Sequence, residues 1–147
     1  MSPVIKKSHS ASELVYHLVC PIKYRRKIFT PDNEPTLKQI ALEIEERHEL
    51  HFLEIGIDLN HVHFLIQTIP TFAPATLANT VKGNLSIQFF RKHPEVTQYL
   101  WGGNLWTAGY FINTVGNASM SILKNYIQNQ GYTEYKQLHQ TTLTLFN

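Results

Sequence analysis

The chain reads as an α+β domain, an antiparallel sheet with helices packed on one face. Three observations predict it. Hydrophobic periodicities run in the order β-α-β-β-α-β, and the two middle β-type runs are joined only by Leu59-Asn60, a hairpin connection. The length of 147 residues, with 43% hydrophobic and 16% charged residues, suits one folded domain with a single core.

Residues 13–20 are rich in β-branched and aromatic side chains and stop at Pro21, which predicts a strand. Lys23 to Lys27 follow as a basic loop or strand end. Asp32 and Asn33 stand ready to cap a helix whose apolar positions, Leu37, Ile40, Ala41 and Ile44, recur at helical spacing. Residues 52–58 and 61–68 form the predicted hairpin, and Pro70 and Pro74 end that region. Over 76–92, Leu77, Val81, Leu85 and Phe89 repeat every four residues, predicting a second helix that Pro94 stops. A Gly-Gly turn at 101–104 leads into an aromatic-rich strand over 105–115. Gly116-Asn117 opens a third helix over 118–130, which Gly131 terminates. This order is the ferredoxin-like, split βαβ (RRM-like) arrangement, with one sheet face left available for function. Residues 132–147 read as a short helix, an arm onto a partner, or a tail.

Composition excludes several classes. No run approaches the ~18 apolar residues of a membrane span. Nor does an apolar stretch follow the lysines of the N-terminal Met-Ser-Pro-Val-Ile-Lys-Lys, so the chain reads as cytoplasmic. The single cysteine, Cys20, excludes an internal disulfide and a Cys-rich zinc site and reads as a small buried residue. The formal net charge of +2 hides an asymmetry. Residues 32–58 carry eight acids against Lys38 and Arg47, a net of −6, so the remainder carries +8. Such a division fits either a one-sided positive field for a polyanion or simply a solvated acidic helix.

His61-Val62-His63 lies inside a predicted strand, so both imidazoles leave one face while Val62 and Phe64 face the core. The pair is either two metal ligands or two solvated histidines, and a metal needs at least one further ligand. Tyr126 and Gln130 stand i and i+4 on the third helix. Tyr126 is a candidate nucleophile toward phosphorus and Gln130 a candidate third ligand; alternatively Tyr126 is a core residue beside Ile122, Leu123 and Ile127. Lys23, Arg25, Arg26 and Lys27 flank Tyr24 and precede Phe29, joining phosphate-neutralising charge to a stacking ring. Lys82, Arg91, Lys92 and Lys124 extend the same candidate DNA-binding field. There is no Gly-rich phosphate loop and no Ser/His/Asp signature.

Taken together, Tyr16-His17-Leu18-Val19 with Pro21 and Lys23-Tyr24-Arg25-Arg26, Asn60-His61-Val62-His63-Phe64-Leu65-Ile66, Leu105-Trp106 with Tyr110-Phe111 and Thr114-Val115-Gly116, and Tyr126-Ile127-x-x-Gln130 resemble the small single-tyrosine HUH transposases of the insertion-sequence 200/605 type, the IS200-like transposases. The resemblance runs from residue 16 to residue 131 and makes the chain a single catalytic domain. Two departures stand out: Asn60 occupies a position often held by Asp, and Ile22 separates Pro21 from Lys23.

The resemblance implies that Tyr126 attacks a phosphodiester of single-stranded DNA, giving a 5′-phosphotyrosine and a free 3′-OH. It also implies a divalent ion, Mg²⁺ or Mn²⁺, held by His61, His63 and Gln130. Its partners would be DNA hairpins at the element's ends and a second copy of the chain, the tyrosine helix of one subunit serving the histidines of the other. Imidazole ligands favour Mn²⁺ over Mg²⁺, so tighter Mn²⁺ binding is expected in calorimetry. The competing readings are a non-catalytic single-strand-binding module and a related nuclease acting on repeated chromosomal hairpins. A zinc hydrolase ranks behind both, because the helix-borne His motif is absent.

Overall fold

The computed structural model describes residues 5–7, 10–12, 14–100 and 103–116, and positions 121, 122, 125, 127 and 128. A short hairpin, β1 (Ile5–Lys7) and β2 (Ser10–Ser12), comes first and has no counterpart among the expected elements. The main sheet is built from β3 (Leu14–Pro21), β4 (Leu50–Ile57), β5 (His61–Thr68) and β6 (Phe111–Thr114). Its order is β4-β5-β3-β6 with every neighbour antiparallel, as the split βαβ arrangement requires. Helices α1 (Glu34–Arg47) and α2 (Pro74–Lys92) supply the two crossovers.

Strand alternation divides the side chains into two sets. Tyr16, Leu18 and Cys20 of β3 and Val62, Phe64 and Ile66 of β5 point to the helical side. There they meet Leu37, Ile40 and Ile44 of α1 and Leu77, Val81, Leu85 and Phe89 of α2. In β4 the pattern skips a step: Phe52 pairs with Ile66 but Glu54 with Leu65, so Leu53 is an extra, bulged residue. The bulge lets both Phe52 and Ile55 reach the core despite their spacing of three, and it sends Leu53 to the opposite side with Val15 and Leu65.

Three local expectations are corrected. Pro74 does not end a region; it occupies the first turn of α2, where a missing N–H costs nothing. Asn33 occupies the cap position of α1 without capping it. Its Oδ1 accepts from the Thr30 N–H at 2.7 Å and its Nδ2 donates to the Ile28 carbonyl at 2.9 Å, fastening the preceding loop instead. The strand expected over 105–115 is regular only in β6, because the residues before it hydrogen-bond to α2 and to the end of β3. Leu105 N–H donates to Ser86 Oγ, Thr107 N–H to the Pro21 carbonyl, and the buried Trp106 donates its indole N–H to the Lys82 carbonyl at 3.0 Å.

Lys82 Nζ completes this attachment, donating to the carbonyls of Thr107, Ala108 and Gly109 at 2.9, 3.2 and 3.4 Å and lying 5.3 Å from the Tyr110 ring centroid. Lys82→Met keeps the stem and removes the donor. It is expected to lower unfolding free energy by about 1–3 kcal/mol in urea titration. An unchanged midpoint would show the clamp to be dispensable.

The sheet's second face is less open than expected. Ile127 is helical and buried, and it packs on Val15 and Leu65, with Leu53 and Val115 at the margin. No described helix is long and apolar enough to cross a membrane.

Candidate metal centre and nucleic-acid interface

Because Val62 and Phe64 are drawn into the core, His61 and His63 both emerge on the second face, where they are 5% and 2% exposed. They are therefore not solvated surface histidines. Their ring centroids lie 4.8 Å apart. His61 Nδ1 meets Asn60 Oδ1 at 2.8 Å, and an amide oxygen can only accept, so Nδ1 carries the proton. Asn60 thus orients His61 without a negative charge.

Asp58, at the end of β4, turns back toward the pair. Its N–H donates to the His61 carbonyl, its Oδ1 accepts from the Leu59 N–H at 2.7 Å, and its Oδ2 lies 3.7 Å from His61 Nε2. Ligand atoms of Asp58, His61 and His63 all lie within 4.8 Å of one another. Two imidazoles and one carboxylate suit a divalent transition ion such as Mn²⁺, and the donor set therefore fits the ion that the sequence implies. Asp58 adds a charged donor to a ligand set expected to be neutral.

His17 is the second residue that sequence reasoning did not single out for this site. Fully buried on β3, it places Nε2 2.9 Å from His63 Nδ1. Burial, reinforced by the nearby His61, pushes its pKa down from 6.5 to about 4, so His17 is neutral at physiological pH. The unfolded chain binds this proton more readily. In metal-free protein its contribution to stability is therefore complete above about pH 6.5 and declines as pH falls toward 4, by on the order of 3 kcal/mol in total. Urea titrations in EDTA at pH 7.5 and 4.5 should show a smaller acid loss for His17→Gln than for the parent, and parallel losses would refute the assignment.

The other side of the site is basic. Ile22 donates its N–H to the Asn60 carbonyl at 2.8 Å, so the turn that follows sits at the histidine end of the sheet. In that turn (Lys23–Arg25) Tyr24 and Arg25 adopt φ of 60° and 53°, the left-handed region that costs non-glycine residues energy. The result exposes Tyr24, Arg25, Arg26 and Lys27 together, with Lys23 Nζ 5.4 Å from the Tyr24 ring centroid. An open cavity of about 780 Å³ lies beside them, lined also by His93 and Tyr99. Arg91 is also exposed, and Lys92 lies 3.5 Å from Glu43. Lys82 belongs to the clamp described above. Cys20 is buried with its thiol pushed up to about 12 by desolvation, which removes it as a nucleophile.

Tyr126, Gln130 and Lys124 lie outside the described residues. Their neighbours do not: Ile127 rests on the histidine-bearing face, and Gln128 Nε2 donates to Glu54 Oε1 at 2.6 Å.

The family described as "Transposase IS200 like" matches residues 10–130, which include the turn, the hairpin and the helical residues just described. The chain belongs to the IS200-like transposase family. As a member it is an enzyme of DNA transposition. It is 30% identical over 118 residues to the ISDra2 transposase TnpA of Deinococcus radiodurans, an alignment covering 80% of this chain and 84% of that protein. It is 24% identical over 123 residues to the transposase of insertion sequence element IS200 from Salmonella typhimurium. Among solved structures, a Deinococcus radiodurans transposase superposes with a TM-score of 0.68 at 27% identity, covering 87% of this chain and 98% of that one. A REP-associated tyrosine transposase bound to a REP hairpin shares the fold with this transposase at a TM-score of 0.57 and 12% identity, covering 86% of this chain and 70% of that one.

Proposed function

We propose that this transposase cuts and rejoins single-stranded DNA at hairpin-bearing element ends, with Tyr126 as nucleophile and a divalent ion, Mg²⁺ or Mn²⁺, at His61 and His63. The observation that carries this reading is the juxtaposition of the Asp58, His61 and His63 cluster, its two histidines buried on one sheet face, with Ile127, the residue next to Tyr126, on that same face. Gln130, from the same stretch of chain, supplies a neutral oxygen donor to the site.

Tyr126 Oη attacks phosphorus, the bond to the 3′ oxygen breaks, and the products are a 5′-phosphotyrosine and a 3′-OH. The reverse attack rejoins strands with no nucleotide energy source. A phenol with a reference pKa of about 10 is a weak nucleophile at neutral pH, so its proton must be taken and the phosphate charge offset. The bound ion supplies that positive charge. Lys23, Arg25, Arg26 and Lys27 neutralise flanking phosphates, and Tyr24 offers a ring to an unpaired base. The active form is a homodimer in which the tyrosine segment of one subunit serves the histidines of the other.

The test is to incubate protein with labelled single-stranded oligonucleotides from the flanks of its own gene, with Mn²⁺, Mg²⁺ or EDTA, and to resolve the products on a denaturing gel. A metal-dependent, protein-linked band supports the proposal. Hairpin binding in a native gel without such a band would favour a non-catalytic binding module. Cleavage confined to repeated chromosomal hairpins would redefine the substrate.

A further inference from the structure

His63 makes its hydrogen bond to a second imidazole on the neighbouring strand. The register pairs Val19 with His63 and His17 with Leu65, so His17 and His63 meet diagonally across the second face. Their ring planes differ by 10°, their centroids are 5.1 Å apart, and Nε2 of His17 lies 2.9 Å from Nδ1 of His63. A centroid separation close to its upper limit, the N···N distance plus the two ring radii, means that the rings lie edge to edge. This is the geometry of an N–H···N bond and not of face-to-face stacking. His61 is held through the same atom, its Nδ1 proton going to Asn60 Oδ1. Both histidines are thus engaged through Nδ1, so Nε2 is the atom of each that would meet an ion.

We propose that His17 is a positioning residue for His63: it accepts the His63 Nδ1 proton and so holds His63 in the tautomer whose Nε2 lone pair can bind the metal. This inference rests on the metal reading above and assigns His17 a role through His63, without contact to ion or DNA. Partners of this kind fix both the ring orientation and the tautomer of a ligating histidine, and losing one typically weakens metal binding 10- to 100-fold. Asn60 and His17 are both uncharged anchors. Neither reduces the positive charge available to a phosphate, and Asp58 remains the single carboxylate among the described residues of the cluster.

The experiment has two arms. Long-range ¹H–¹⁵N NMR on metal-free protein should show His63 protonated at Nδ1; a spectrum showing the Nε2–H form overturns the proposal without any variant being made. Calorimetric Mn²⁺ titration then compares the parent, His17→Phe, which keeps ring volume and loses the acceptor, and His17→Gln, whose amide oxygen accepts. His17→Phe should bind 10- to 100-fold more weakly while remaining folded by thermal melt, and His17→Gln should recover most of the affinity. A folded His17→Phe with parental affinity, or a His17→Gln as weak as His17→Phe, overturns it. If His17→Phe does not fold, the Gln variant and the parental NMR spectrum decide. Failure of the parent itself to bind Mn²⁺ would overturn the metal reading, whereas the tautomer measurement would still report on His17.

Discussion

The Tyr126→Phe protein is expected to bind hairpin-bearing single strands with an affinity within about twofold of the parent and to form no covalent adduct at all. The loss is absolute because the adduct needs the phenolic oxygen as an atom of the product, whereas Phe retains the ring. DNA affinity should hold because the groups proposed to neutralise phosphates, Lys23, Arg25, Arg26 and Lys27, lie in and just after the turn that follows β3. Filter binding and a denaturing gel on the same samples separate the two effects. An adduct surviving in the Phe variant would move the nucleophile to another residue. The same variant tests the shared site. Mixed with His63→Ala subunits, Tyr126→Phe subunits should restore cleavage if each site draws its histidines and its tyrosine from different chains, since one site per heterodimer is then intact. If each chain builds its own site, every site in the mixture carries one lesion and cleavage stays absent.

Much of the fold was legible because the chain obeys simple periodicities. Leu37, Ile40 and Ile44 recur at helical spacing and are buried, and Val62, Phe64 and Ile66 alternate with His61, His63 and Leu65 on two faces. What was not legible depended on contacts remote in sequence. Residues 105–110 carry a strand-like composition, but Lys82 and Ser86 on α2 take their backbone groups. The bulge at Leu53 breaks the alternation in β4, and only pairing with β5 reveals it. Asn33 looked like a cap, yet the loop from Ile28 to Thr30 competes for its side chain and wins.

The site was legible to a similar degree. The His-x-His spacing placed two imidazoles on one face, but spacing alone could not distinguish ligands from solvated side chains; burial excludes the solvated surface pair, and Asp58 completes a set that fits a divalent ion. His17 stands 46 residues from His63 and carries no spacing signal toward it, because their contact is created by strand register. A weak signal did exist: in a strand whose alternate positions Tyr16, Leu18 and Cys20 are core residues, His17 belongs to the opposite face, the face of the His pair. Asp58 was counted among the acids of the 32–58 segment, and its place beside His61 follows from the return of the hairpin at Leu59-Asn60.

His63→Ala is expected to lose metal-dependent cleavage by on the order of 10³-fold or more, since charge stabilisation by a bound ion is worth several kcal/mol in the transition state and each 1.4 kcal/mol is tenfold. The rate alone would not identify the cause, because removing a buried imidazole also leaves His17 without its His63 contact and costs about 1–3 kcal/mol of stability. Metal linkage separates the two. An ion that binds only the folded state stabilises it by about 2.7 kcal/mol at a hundred times its Kd. The parent Tm should therefore rise on adding Mn²⁺, and the His63→Ala Tm, lower at the outset, should not move. Asp58→Asn should fall between them: the amide keeps an oxygen near His61 and loses the charge, so a reduced rise in Tm is expected. A full Mn²⁺-dependent rise in His63→Ala would place the ion elsewhere. A full rise in Asp58→Asn would show that the histidines and the neutral oxygen of Gln130 suffice, returning the site to an uncharged ligand set.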